Sequence, residues 1–216
     1  MSDKKQAVFE ELQAHFRQTA LLQSSADALE WDERTGLPSA AGEYRADQVT
    51  LLRGLVHKRR TDPRIADWLE SLADWQPAAD PRADIGATIN RLREDFERDR
   101  KLPQSLVESL SRATVRGQQV WDAARKADRF EDFQATLAEV VRLKREAATC
   151  LATEGQTLYD ALLDEYEPGA KAAELEQVFR ELKAELVPLV ARIRASPRQP
   201  DALFCSAITA STPNVN

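Results

Sequence analysis

Apolar residues recur at three- and four-residue intervals along nearly the whole chain, and strict apolar–polar alternation is almost absent. That period predicts helices and no sheet. A first helix is expected over about residues 4–33, with Val8, Leu12, Phe16, Leu22, Ala26 and Leu29 near one face. Gly36-Leu37-Pro38 stops it, and Ser39 is placed to cap a second helix with Glu43 in its first turn. That helix carries Tyr44, Leu51, Leu52, Leu55 and Val56 to about Arg60. Asp62-Pro63 and Asp80-Pro81 are each a capping residue followed by proline, whose fixed φ suits the first helical position. They open a third helix with Ile65, Trp68, Leu69 and Leu72, and a fourth with Ile85, Ile89, Leu92 and Phe96.

Lys101-Leu102-Pro103 breaks the fourth helix. The fifth shows Leu106, Val107, Leu110, Thr114 and Trp121; the sixth, from about Arg129, shows Phe133, Leu137, Val140 and Ala147. The pattern pauses at Glu154-Gly155-Gln156, then runs through Tyr159, Leu162, Leu163 and Tyr166 to Pro168-Gly169. A last helix carries Leu175, Val178, Phe179, Leu182, Leu186, Leu189 and Ile193, and Pro188 is expected to kink it. Short connections favour antiparallel neighbours. The fold class is therefore all-α, an extended array of seven or eight helices. No internal repeat is found, and no heptad is read as sustained over several turns. Residues 1–200 form the helical portion. Residues 201–216, uncharged from Ala202 onward, form a tail that is expected to be disordered.

Composition narrows the function. A chain of 216 residues buries about 70% of its unfolded surface, enough for a real core. A net charge of −6 provides no domain-wide basic field, so nucleic acid is not an expected partner. The one basic cluster, His57-Lys58-Arg59-Arg60, reads as a solvated helix C-terminus, where cations suit the dipole. MSDKKQAVFEEL has no signal-peptide core, and no run of 18 apolar residues could span a membrane. Cys150 and Cys205 lie 55 positions apart with no CxxC, giving neither a disulfide framework nor a zinc site. These features fit a cytoplasmic protein.

Candidate chemistry is sparse. The only histidines are His15 and His57; Glu11 and His15 share a helical face, but no HExxH and no Glu-x-x-His is present. No GxSxG and no glycine-rich phosphate loop occurs. Asp27, Glu30, Asp32 and Glu33 crowd the end of the first helix, where acids oppose the dipole. Arg34 and Arg45 are the nearest charges to offset them. The cluster reads either as the lining of a cleft or as a corner where the indole of Trp31 packs and Asp32 or Glu43 caps and pairs. The corner is the favoured reading. The aromatic series Trp68, Trp75, Phe96, Trp121, Phe130 and Phe133 reads as core.

Three stretches together resemble the thermostable, Taq-type metallocarboxypeptidases: LEWDERTGLPSAAGEYRADQVTLLRGLVHKRRTDP (29–63), LVESLSRATVRGQQVWDAARKADRFEDFQATLAEVVRLKREAA (106–148) and YDALLDEYEPG (159–169). The likeness covers about residues 6–200. It implies the N-terminal half of an all-helical, cleft-bearing HExxH peptidase that uses zinc or cobalt to remove C-terminal residues from peptides with broad specificity. It also implies a cytoplasmic homodimer. The family's catalytic helix lies beyond the matched region, so the chain reads as truncated before HExxH. No catalytic residue and no metal ligand carries over to any position here, and no cofactor is expected in this chain. Glu43, Tyr44 and Arg45 are candidates for substrate contact without a motif behind them. Three readings stay open: a metallocarboxypeptidase inactive by itself, a non-functional remnant, and a helical protein-interaction module.

Overall fold

A computed structural model of the protein describes residues 2–197. The tail expected over 201–216 lies outside them. Among the described residues there are eight α-helices and no strand: α1 (Ser2–Thr35), α2 (Gly42–Arg60), α3 (Arg64–Ser71), α4 (Asp84–Asp99), α5 (Gln104–Lys126), α6 (Glu131–Leu151), α7 (Leu158–Leu163) and α8 (Ala172–Ala195). Single 3-10 turns at Ser39–Ala41 and Gln76–Ala78 precede α2 and α4. The chain divides into two compact units, one ending at Ala152 and the other beginning at Thr153.

In the first unit α2 packs against both α1 and α5, and α5 against α6. The largest apolar cluster joins α1 to α3 and α4: Leu12, Ile65 and Leu72 are fully buried, with Phe9, Leu69, Trp75, Ile89 and Phe96 around them. A second cluster, Ala46, Val49 and Val115, seals α2 on α5, and a third, Leu106, Leu143 and Ala147, seals α5 on α6. Of the apolar positions expected on α2, only Val56 is buried, and the packed face lies elsewhere. Its buried positions are Gly42, Ala46, Val49, Thr50, Gly54, Val56 and His57, whereas Leu51, Leu55 and Tyr44 are exposed. Small residues let helices approach closely, so the packed face of α2 is the small one.

Several helix boundaries differ from the expected ones for local reasons. Ala41, not Ser39, occupies the N-cap position of α2, after the 3-10 turn. Pro63, not Asp62, occupies the N-cap position of α3, and the Asp62 Oδ1 accepts the Arg64 backbone N–H at 3.0 Å from one residue before it. Asp80 caps a turn instead of α4, accepting from the Arg82 N–H at 2.9 Å. The backbone of that turn comes so near α4 that a Cβ on Gly86 would lie 2.0 Å from the Asp80 carbonyl oxygen. Tyr166 falls beyond α7. Within the aromatic series Trp75 and Phe96 are core, but Trp121 and Phe130 are exposed. They lie on α5 and just before α6, outside the cluster built by α1, α3 and α4.

The second unit holds α7 and α8. Helix α8 runs through Pro188 as one assigned helix, and no residue in it is buried. Its apolar positions do carry a short heptad spacing: Leu175, Phe179, Leu182, Leu186, Leu189 and Ile193 are separated alternately by four and three residues. The stretch is shorter than three heptads, too short to stand out in a search for sustained repeats.

Candidate functional site

The corner between α1 and α2 is built by arginines of α2 reaching back to the acidic end of α1. Arg45 Nη1 lies 2.7 Å from Asp32 Oδ2 and donates to the Leu29 carbonyl at 2.7 Å. Arg53 meets both Asp27 (2.9 Å) and Glu30 (2.6 Å). Three of the four acids that oppose the α1 dipole, Asp27, Glu30 and Asp32, are thus paired from the neighbouring helix. Arg45 was expected there; Arg53 was not, since two helical turns of α2 separate it from Arg45 in sequence. Trp31 is 69% exposed and does not pack in the corner. The corner is held by ion pairs and not by an indole.

Beside it lies a cleft of about 280 Å³ lined by Glu30, Glu33, Arg34 and Arg53 on one side and by Ser111 and Lys144 on the other. Its floor includes Val107, Leu110 and Val115. Burial raises the Glu33 carboxyl above its usual range, with Arg34 and Arg45 pulling the other way. Ser111 Oγ is buried there without a hydrogen-bond partner. A second groove, about 600 Å³, is lined by Glu43, Arg112, Arg116 and Glu139 among others. Each of these charges is paired: Arg116 with Glu43 across the groove (2.8 Å), Arg112 with Asp47 (2.6 Å) and Glu139 with Arg142 (2.8 Å), the last two partners lying outside the lining.

The three candidate substrate contacts do not converge. Glu43 lines the second groove, Arg45 is held by Asp32, and Tyr44 is 71% exposed. Neither cavity brings a nucleophile to a general base.

Both histidines are buried, and both are engaged by backbone. His15 Nε2 donates to the Arg59 carbonyl at 2.8 Å, and His57 Nε2 to the Leu102 carbonyl at 2.9 Å. The basic cluster at 57–60 is accordingly not a solvated end throughout. Arg59 binds Thr19 Oγ1 (3.0 Å) and the His15 carbonyl (3.1 Å), and Arg60 approaches Asp99 at 3.6 Å. Burial raises the Asp99 carboxyl, while Arg60 opposes that shift. Among the described residues no three His, Cys, Asp or Glu side chains gather where an ion could be held. The donors present do not fit a hydrolytic zinc or cobalt site, which takes three converging protein ligands.

One polar site was missed in the sequence. Thr157 and Asp160 form a reciprocal capping box at the start of α7. Asp160 Oδ1 also accepts the Ala172 N–H at 2.7 Å, linking the two helices of the second unit. Those backbone and hydroxyl donors hold the Asp160 carboxyl below its usual range. The spacing Thr-x-x-Asp ahead of an apolar run is the signal that could have found it.

The described residues thus define an all-helical array without a strand. Residues 11–213 match the family described as carboxypeptidase Taq (M32) metallopeptidase, and the chain belongs to that family. It is 37% identical over 204 residues to thermostable carboxypeptidase 1 of Thermus thermophilus, covering 91% of this chain and 40% of that protein. It is 27% identical to carboxypeptidase 1 of Bacillus subtilis, covering 82% of this chain and 34% of that one. Among solved structures, BsuCP superposes with a TM-score of 0.84 at 24% identity, over 92% of this chain and 39% of the other. The M32 carboxypeptidase of Deinococcus radiodurans gives 0.70 at 30% identity, over 89% and 38%. The chain therefore spans about 40% of the length of the relatives it matches. Among the described residues no helix is long and apolar enough to cross a membrane.

Proposed function

We propose that this chain is the helical cleft-wall portion of a metal-dependent carboxypeptidase and has no peptidase activity by itself. Family membership supplies the reaction class, hydrolysis of peptides at the C-terminus. The observation that carries the second half of the reading is the engagement of both imidazoles: His15 and His57 are buried and bound to carbonyls. Residues 1–200 act as the helical portion, with 201–216 as a tail. On this reading the zinc or cobalt ligands and the general base belong to sequence beyond the matched region, and this chain contributes cleft wall. A cytoplasmic setting, a homodimeric family assembly and no role for nucleic acid complete the reading.

The test is to incubate the purified chain with zinc or cobalt and an N-blocked dipeptide, following release of the C-terminal amino acid. No release above the metal-only control is expected. Release that a chelator abolishes and that persists through repurification would overturn the proposal. Release that appears only when the remaining portion of a relative is added would support it, because this chain would then be supplying structure and not ligands.

A further inference from the structure

The cleft between the α1–α2 corner and helices α5 and α6 has a polar lining that the chain leaves incomplete. In the larger groove beside it each charge has an ionic partner. Here Ser111 Oγ is buried with no hydrogen-bond partner, although most buried side-chain polar atoms have one. Glu33 lies in no ion pair among the described residues. Burial raises its carboxyl, and the like charge of Glu30, three residues earlier on α1, adds to that shift. Unpaired polar groups of this kind, gathered in a concave site, mark a place for a ligand. We infer that the cleft binds a small zwitterion of the α-amino-acid kind with a short aliphatic side chain, its ammonium at Glu30 and Glu33 and its carboxylate at Ser111, Gln118 and Lys144.

The lining selects that ligand by size and by sign. A volume of about 280 Å³ falls just below the roughly 300–1,000 Å³ of pockets for drug-sized molecules, so the cleft suits a single small metabolite. Glu30 and Glu33 are neighbours on one face of α1, where one ammonium can meet both and relieve their mutual repulsion. A ligand with positive charge alone would also face Arg34, Arg53 and Lys144, and one with negative charge alone would face the two glutamates. A ligand with both signs answers each. Donors for its carboxylate come from the opposite wall. The Ser111 hydroxyl reorients about a single bond, Gln118 carries an amide, and the Lys144 ammonium has three N–H donors, so a partner at one leaves others. Val107, Leu110 and Val115 supply an apolar floor against which an aliphatic side chain sheds water.

Nothing in the binding test uses activity, so its result is independent of the peptidase reading. Isothermal titration of the full chain with L-leucine is expected to show saturable binding of one molecule per chain. Isoamylamine, which is leucine without its carboxylate, and isocaproate, which lacks the ammonium, are each expected to bind at least about tenfold more weakly, as for loss of one charge-assisted pair. Ser111→Ala removes a hydroxyl that nothing in the chain pairs, so it should leave the melting temperature unchanged or raise it while weakening leucine binding severalfold. Glu33→Gln should weaken leucine and isoamylamine and leave isocaproate unchanged or tighter, a split that partial unfolding would not produce. Three results would each overturn the inference: no saturable binding of leucine, an amine or a carboxylate that binds as tightly as leucine, or leucine binding unaltered by both Ser111→Ala and Glu33→Gln.

Discussion

Helices α1 and α8 carry similar apolar periodicity, and the protein uses them in opposite ways. The face of α1 is closed by α3 and α4, so that Leu12 is fully buried. The face of α8 stays largely exposed among the described residues, and none of its residues is buried. Periodicity records that a helix has a face to cover. It does not record which chain segment covers it.

That contrast can be broken most directly with leucines. Leu72→Ala in the first unit is expected to cost about 3 kcal/mol, as for other fully buried leucines. Leu182→Ala should leave the unfolding midpoint of the first unit unchanged when measured at concentrations too low for association. A comparable loss from Leu182→Ala would mean that α8 is already covered. Gly86→Ala is expected to lower stability by about 1–3 kcal/mol through overpacking on the Asp80 carbonyl. In an ordinary helix the same change stabilises by about 1 kcal/mol, so the sign of the shift in denaturant midpoint decides whether that close approach exists. His57→Ala should cost about 2 kcal/mol by removing a buried imidazole and its bond to the half-buried Leu102 carbonyl, and thermal melts of the variant check it.

The smallest effect is expected with pH. The Arg64 guanidinium lowers the Asp62 carboxyl from 3.8 to about 2. A depressed carboxyl stabilises the fold above its unfolded value and loses that contribution as pH falls through the folded one. The window is therefore from about pH 4 down to 2, and Asp62→Asn should flatten the stability profile within it. Glu33 and Asp99 have the opposite sign. Their raised values favour the fold below the ordinary carboxylate range and cost stability above it, so Glu33→Gln should gain slightly at neutral pH relative to acid. Denaturant titrations at matched salt read both effects.

Much of the helical order was legible because its punctuation is local. Gly36-Leu37-Pro38, Asp62-Pro63 and Pro103 fall between helices where proline and glycine chemistry puts them. Leu12, Ile89 and Phe96 were legible as core because their spacing is helical. The packed face of α2 was not, since Ala46 and Gly54 carry little hydrophobicity and matter through closeness of approach. Trp31 was misjudged because an aromatic residue in a corner has no periodic partner to say whether the corner closes over it. The engagement of His57 depends on a carbonyl 45 residues away, which no short pattern encodes. The candidate site was legible mainly as a lack of motif. The ion pairs of Arg53 and the capping box of Asp160 show how the polar residues are used instead: in joining helices.

The packing of α2 on both α1 and α5 has a consequence for the order of folding. The α1–α2 and α5–α6 contacts join helices consecutive in the chain, so each pair can form as a local hairpin. Bringing α2 onto α5 closes a loop that contains α3 and α4, and loop closure must be met before contacts between Val49 and Val115 return any free energy. Docking of the two hairpins is thus the expected slow step. In stopped-flow refolding, Val49→Ala should retard folding, whereas Leu143→Ala, within the α5–α6 hairpin, should act on the rate of unfolding if its hairpin closes only loosely before the barrier and on folding if it closes tightly. The ratio of those two responses would time the assembly of the first unit.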